Sequence, residues 1–160
     1  MKKSADKLTL QGTSLLHQFL QFIKKEELFP LKNHLLLAVS GGVDSVVLCE
    51  LCKQAEFHFS IAHCNFQLRG EESNKDEQSV REMGDRYNVQ VFVKDFDTNA
   101  YANDHNLSIQ VAARELRYAW FQSILENDKN SIHAVLTAHH ADDNIETVLM
   151  NFFKGTGMAG

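Results

Sequence analysis

The sequence predicts an α/β fold, a Rossmann-like parallel sheet with helices on both faces. Short apolar runs alternate with longer helical patterns along most of the 160 residues. That alternation implies parallel strands joined by helical crossovers. The first run, HLLLAVS at 34–40, is continuously apolar, as a strand buried on both faces should be. Three polar segments begin where predicted strands end, which is where such folds hold their ligands.

The elements follow in order. Residues 14–28, SLLHQFLQFIKKEEL, carry Leu15, Leu16, Phe19, Leu20, Phe22 and Ile23 at helical spacing, and Pro30 closes the helix. The strand at 34–40 leads into a helix at 43–54, then a strand at 57–63. A polar helix with a sparse apolar stripe covers 72–88, and VQVFVKD at 89–95 alternates like a strand. Residues 108–127 form an amphipathic helix with Ser108 as N-cap. A fourth strand at 133–139 and a helix at 141–154 complete the alternation. The expected division is an N-terminal helix over 1–30 packing on a nucleotide-binding domain over 31–160.

Composition narrows the function classes. A hydrophobic content of 44% with 23% charge fits a globular chain, and no apolar run approaches the ~20 residues that a membrane helix needs. The N-terminus MKKSADKLTLQG has lysines but no apolar stretch behind them, which argues against a secretory signal. Three cysteines, Cys49, Cys52 and Cys64, fit reduced thiols in a cytoplasmic protein better than a disulfide framework. A net charge of −5 argues against a surface that grips nucleic acid throughout. The glycine-rich end NFFKGTGMAG reads as a cut within a longer protein.

The segment SGGVDS at 40–45 carries the first functional signal. It is not a Walker A loop, which requires a Lys after its last glycine. Gly41 and Gly42 permit backbone geometry closed to other residues, and with the Ser40 and Ser45 hydroxyls they suit an anion nest at a helix N-terminus. Asp44 is the anomaly, because a carboxylate facing polyphosphate repels it unless a cation lies between. Mg²⁺ takes one or two carboxylates together with phosphate oxygens, so Asp44 points to a nucleotide bound with magnesium.

SGGVDS after an N-terminal strand resembles the PP-loop of the N-type ATP pyrophosphatases. HCNFQLRGEES at 63–73, SIQVAARELRY at 108–118 and TAHHADDNIETVLMNFFKGTG at 137–157 resemble segments of the tRNA(Ile)-lysidine synthase family. The resemblance covers roughly 33–160 and implies an adenine nucleotide alpha hydrolase-like fold. It implies a ligase that joins free L-lysine to C2 of the wobble cytidine in tRNA(Ile) with a CAU anticodon. ATP first adenylates the cytidine, releasing pyrophosphate, and lysine then displaces AMP. ATP and Mg²⁺ are the expected cofactors, bound by Ser40, Gly41, Gly42, Val43, Asp44 and Ser45, with His63 lining the nucleotide pocket. The family commonly has a second histidine where this chain has Phe66, so Phe66 is given no polar role. Domains that help hold tRNA in the family are not in this chain, and a homodimer is compatible with the reading.

Asp142, Asp143 and Glu146 fall in the predicted first turns of the last helix, where the dipole favours acids. Asp143 is the expected second magnesium ligand and catalytic partner of Asp44, with Asp142 as the alternative. His139 is expected to act in catalysis and His140 to contact substrate, although either could be a hydrogen-bonded wall residue. Arg114 and Arg117 lie three apart and share a helix face. Arg114 is expected to be catalytic, with Arg117 and Arg69 binding substrate. Cys49 and Cys52 raise the rival of a tRNA thiolase with a thiol or cluster chemistry, but their i, i+3 spacing in an apolar helix suits core thiols better. Other rivals are an amidating nucleotide synthetase and a non-catalytic nucleotide-binding module.

Overall fold

The computed structural model describes residues 14–141 and 144–146, with side chains for all of these except 128, 139–141 and 144–146. Helix α1 (Leu15–Lys25) is capped by Ser14, whose hydroxyl accepts from the His17 amide at 3.2 Å. It buries Phe19 and Ile23. Strand β1 (Leu35–Ala38) is followed by α2 (Val43–Gln54), β2 (Phe59–Asn65), α3 (Glu71–Tyr87) and β3 (Val91–Asp95). Helices α4 (Thr98–His105) and α5 (Ile109–Glu126) precede β4 (Ala134–Thr137).

The four strands form one parallel sheet in the order β3-β2-β1-β4. Alternation along each strand divides the core into two layers. Leu35, Leu37 and Ile61 face the cluster that holds Phe19 of α1, Cys49 of α2 and Val80 of α3. Leu36, Ala62 and Val135 face Tyr118, Phe121 and Leu125 of α5. Both faces of β1 are therefore sealed, which explains its continuous apolar run. The order reverses at β1: β2 lies on one side and β4 on the other, with their connecting helices on opposite faces. Such a switch point opens a crevice at the carboxyl ends of the strands.

Two elements differ from the sequence expectation. Helix α4 lies where no element is predicted, because TNAYANDH buries only Thr98 and Ala102 and so shows no apolar stripe. Its ends are set locally: Asp97 accepts from the Ala100 amide at 3.0 Å, and Asn106 adopts φ +54 in the left-handed region. Second, β5 (His139–Ala141) and β6 (Asn144–Glu146) pair antiparallel where a helix is predicted from 141. Residues 147–154 of that predicted helix lie outside the described residues.

Gly84 of α3 is buried, and a Cβ there would overlap Cγ2 of Val91 on β3. Ala is the better helix former by about 1 kcal/mol, but overpacking costs about 1–3 kcal/mol. Gly84→Ala should therefore destabilise the fold, and adding Val91→Ala should recover most of the loss. Urea unfolding of the three proteins checks this; a Gly84→Ala midpoint at or above the wild-type value sinks it.

At the opposite end of the sheet from the crevice, the His34 ring stacks on His58 with centroids 3.9 Å apart and contacts the Ser60 hydroxyl at 2.9 Å. Burial, with His58 and His133 nearby, lowers the His34 pKa from 6.5 to about 4. Between those values the unfolded chain binds the extra proton and the folded one does not, so stability falls as pH drops through this window. Urea midpoints at pH 7.5 and 5.5 should show that fall, and His34→Gln should reduce it. Identical pH dependence in the two proteins contradicts the assignment.

Candidate active site

The β1–α2 loop takes its shape from one residue in particular. Gly41 has φ +94, a conformation that L side chains rarely adopt. Gly42 sits at φ −75, which any residue can reach, so only the first of the two glycines is conformationally required. Ser40 Oγ accepts from the Gly42 amide at 3.2 Å, and Ser45 Oγ donates to the Gly42 carbonyl at 2.8 Å. The two hydroxyl oxygens are 3.5 Å apart. These contacts brace the turn that starts α2, and a helix leaves its first amides without intrahelical acceptors. Asp44 sits in that first turn, where the dipole favours its charge, and Val43 is exposed.

A cavity of about 240 Å³ opens beside this loop on the α5 face of the sheet. Ala38, Ala62 and Cys64 form its floor, and Ser40 and Ser45 one rim. Arg117 and Phe66 form the other, the guanidinium lying over the ring at 5.2 Å from its centroid. Phe66 is held from behind by Phe96, stacked at 5.6 Å. Its carbonyl accepts from Thr98 of α4 at 2.9 Å, so the unpredicted helix helps to fix the rim.

The expected site residues do not all meet at one place. Ser40, Ser45 and Arg117 meet at the cavity. Arg114 does not line it: its guanidinium lies over Tyr118 at 5.3 Å, pointing it to a different neighbour despite the three-residue spacing. His63 is buried at the end of β2, and its ring Nδ1 contacts the Val39 carbonyl at 2.7 Å, supporting the residue before the loop. Arg69 lies in the β2–α3 connection, paired with Asp76 of α3. The side chains of His139 and His140 lie outside the described residues, as do Asp142 and Asp143.

Two polar groups escape sequence reasoning. Asp76 packs against Gly41: a Cβ on that glycine would stand 3.3 Å from Asp76 Cβ and 3.4 Å from its Oδ1. Asn65, buried at the end of β2, donates to Asn74 Oδ1 at 3.3 Å and to Glu77 Oε2 at 3.0 Å, and accepts from the Gln67 amide at 3.1 Å. The Asn65 bond, aided by Arg81, holds the Glu77 carboxyl below its ordinary range. In sequence the only signal was the polar density of 65–77.

Cys49 and Cys52 are buried in the α2 layer, as their spacing predicts. Burial pushes the Cys49 thiol up to about 12 and raises Cys52 as well. Burial also pushes Cys64 up to about 12, against the opposing influence of Arg117. No group of three or more His, Cys, Asp or Glu able to hold a metal occurs among the described residues.

A family model for the PP-loop domain matches residues 12–160. The chain belongs to the PP-loop family. Membership implies the use of ATP. The chain is 46% identical over 141 residues to a tRNA(Ile)-lysidine synthase of Bacteroides thetaiotaomicron, covering 88% of this chain and 33% of that protein. It is 44% identical over 146 residues to the tRNA(Ile)-lysidine synthase of Parabacteroides distasonis, covering 91% and 33%. The PP-loop chain thus spans about a third of the length of these curated relatives. Among solved structures, an NH3-dependent NAD synthetase from Campylobacter jejuni aligns with TM-score 0.55 at 16% identity, over 76% of this chain and 53% of that one. An NMN synthetase from Francisella tularensis aligns with TM-score 0.52, also at 16%, over 76% and 50%. At such identity these two show a shared fold and no more. Among the described residues no helix is long and apolar enough to cross a membrane.

The raised thiols give a direct test. At pH 8 the cysteines of the native PP-loop domain should react slowly with Ellman's reagent, and all three rapidly in denaturant. Rapid native labelling of Cys49 or Cys52, or stoichiometric iron after anaerobic purification, contradicts the core-thiol assignment.

Proposed function

We propose that this PP-loop domain is the ATP-using part of a cytoplasmic tRNA(Ile)-lysidine synthase. The carrying observation is the cavity at the β1 switch point, bounded by the Gly41 turn and by Arg117 on Phe66. The names of the relatives support the reading. The substrates on this reading are ATP, free lysine and tRNA(Ile) with a CAU anticodon.

The cavity is smaller than the ~300–1,000 Å³ usual for whole ligands, which suits a site holding one part of a nucleotide while its phosphates lie over the loop. The N-terminal amides of α2 face those phosphates. The oxygen donors near the turn, from Asp44, Ser40 and Ser45, fit a hard cation shared with phosphate. Mg²⁺ bound there would neutralise phosphate charge, with Asp44 as ligand and Asp143 as the second carboxylate.

The wobble cytidine O2 attacks the α-phosphorus, forming the new O–P bond while the bond to the pyrophosphate oxygen breaks. Arg117 is placed to stabilise the charge that builds on the α-phosphate oxygens. Its stacking partner is a π face rather than a carboxylate. The ε-amine of lysine then attacks C2 and AMP leaves with the C2–O bond. At its ordinary pKa of about 10.4 that amine is mostly protonated at pH 7, so a base must take its proton, a role assigned to His139 with His140 against the substrate. His63 supports the loop from the buried side, and Arg114 contributes less than Arg117.

Incubating the intact protein with ATP, labelled lysine and a tRNA(Ile) transcript should give lysine in tRNA and equimolar AMP. Asp44→Asn should cut AMP formation by about 10²-fold or more, and Arg117→Met by a similar factor, the scale of one lost transition-state donor. Arg114→Met should have the smaller effect. Sulfur incorporation, or AMP formation without tRNA and lysine, overturns the proposal; a larger effect at Arg114 than at Arg117 overturns the assignment of the arginine.

A further inference from the structure

We infer that Asp76 is a positioning residue: it tethers Arg69 at the mouth of loop 40–45, and the pair sets the charge that the nucleotide's phosphates meet. This rests on the proposed use of that loop for ATP. The Asp76 carboxylate lies between two partners. Its Oδ1 is packed against the loop, 3.4 Å from where a Gly41 Cβ would stand. Its Oδ2 accepts from Arg69 Nη2. Arg69 is held at both ends by α3, because its backbone amide donates to Ser73 Oγ at 3.2 Å. Its Nη1 lies 3.9 Å from Glu72, and 63% of the side chain remains exposed.

A carboxylate against an anion-binding turn repels phosphate, and more so when partly desolvated, as Asp76 is at 33% side-chain exposure. The guanidinium cancels that charge. It has five N–H donors in a planar fork, and Asp76 occupies only part of them. The remainder can serve a phosphate oxygen at the loop mouth. Gly41 is then constrained twice, by its positive φ and by the carboxylate packed beside it.

The two charges should therefore show epistasis of a defined sign. Removing Arg69 alone strips a donor from the phosphates and leaves an uncompensated carboxylate beside them. Removing both strips the donor but leaves no repulsion. MgATP binding to the intact protein, measured by calorimetry at low and high salt, reads this out. Arg69→Met should weaken binding by at least about 10-fold, the scale of one lost charge-assisted hydrogen bond. Asp76→Asn should weaken it less. The Arg69→Met/Asp76→Asn double variant should bind better than Arg69→Met, and the gap should narrow at high salt. Thermal melts establish that each variant is folded; should Asp76→Asn not fold, Asp76→Ser replaces it in the cycle. A double variant that binds no better than Arg69→Met, or an Arg69→Met protein that binds like wild type, overturns the tether. Wild-type protein that binds no ATP overturns the loop's proposed role and this inference with it; wild-type binding unchanged across the variants overturns the tether alone.

Discussion

β1 pairs in parallel with both of its neighbours, and Ala38 stands level with Ala62 on one side and Thr137 on the other. β1 and β4 therefore end at one height while β2 runs on to Asn65, with α2 leaving toward one face and α5 covering the other. The register is enforced by burial: Leu35, Leu36 and Leu37 are wholly inaccessible, and a slip by one residue would exchange the sides on which they pack. At the last rung the side chains become small. Ala38 leaves free the space that Leu36 fills two residues earlier on the same face, and with Ala62 beside it that space opens into the cavity. Core and site are thus consecutive rungs of one ladder, differing in side-chain volume rather than in backbone.

Much of this was legible because each signal was local. Helix α2 begins and ends where its sequence says, between a glycine turn and a pair of non-helical residues. The strands were visible as apolar runs, though β2 extends to Asn65, past the predicted end, because its polar terminus is paired with β3. Helix α4 was not legible, since it is held by a cap and by Thr98 reaching back to the Phe66 carbonyl rather than by an apolar stripe. The antiparallel pair of β5 and β6 stands where the start of a helix is predicted.

Site residues sort by the same rule. Of the residues proposed for the site, Ser40, Ser45 and Arg117 meet at the cavity, and motif and position single them out. The distinction between Arg114 and Arg117 could not be read that way, because residues three apart share a helix face and only the tertiary neighbour decides: Tyr118 for one, Phe66 for the other. Phe66 carries no polar group, yet its ring orients the cation at the cavity rim. Asp76 was invisible for a related reason, since its partner Gly41 is 35 positions away and has no side chain to suggest a contact.

The charges around the crevice show how an acidic chain can hold a polyanion. Its net charge of −5 is unfavourable at long range, but solvent and salt screen that field within about 8–10 Å. What matters is the disposition of a few groups inside that distance. Arg69 is matched by a carboxylate, whereas Arg117 is matched by a ring that leaves its charge intact. On the proposed reaction this division has a purpose. The β- and γ-phosphates carry their charge before and after the reaction, and binding them too tightly would slow pyrophosphate release. A compensated cation at the loop mouth moderates that grip. The α-phosphate gains charge only as the new bond forms, and a guanidinium held over the cavity by a ring acts most strongly at that moment.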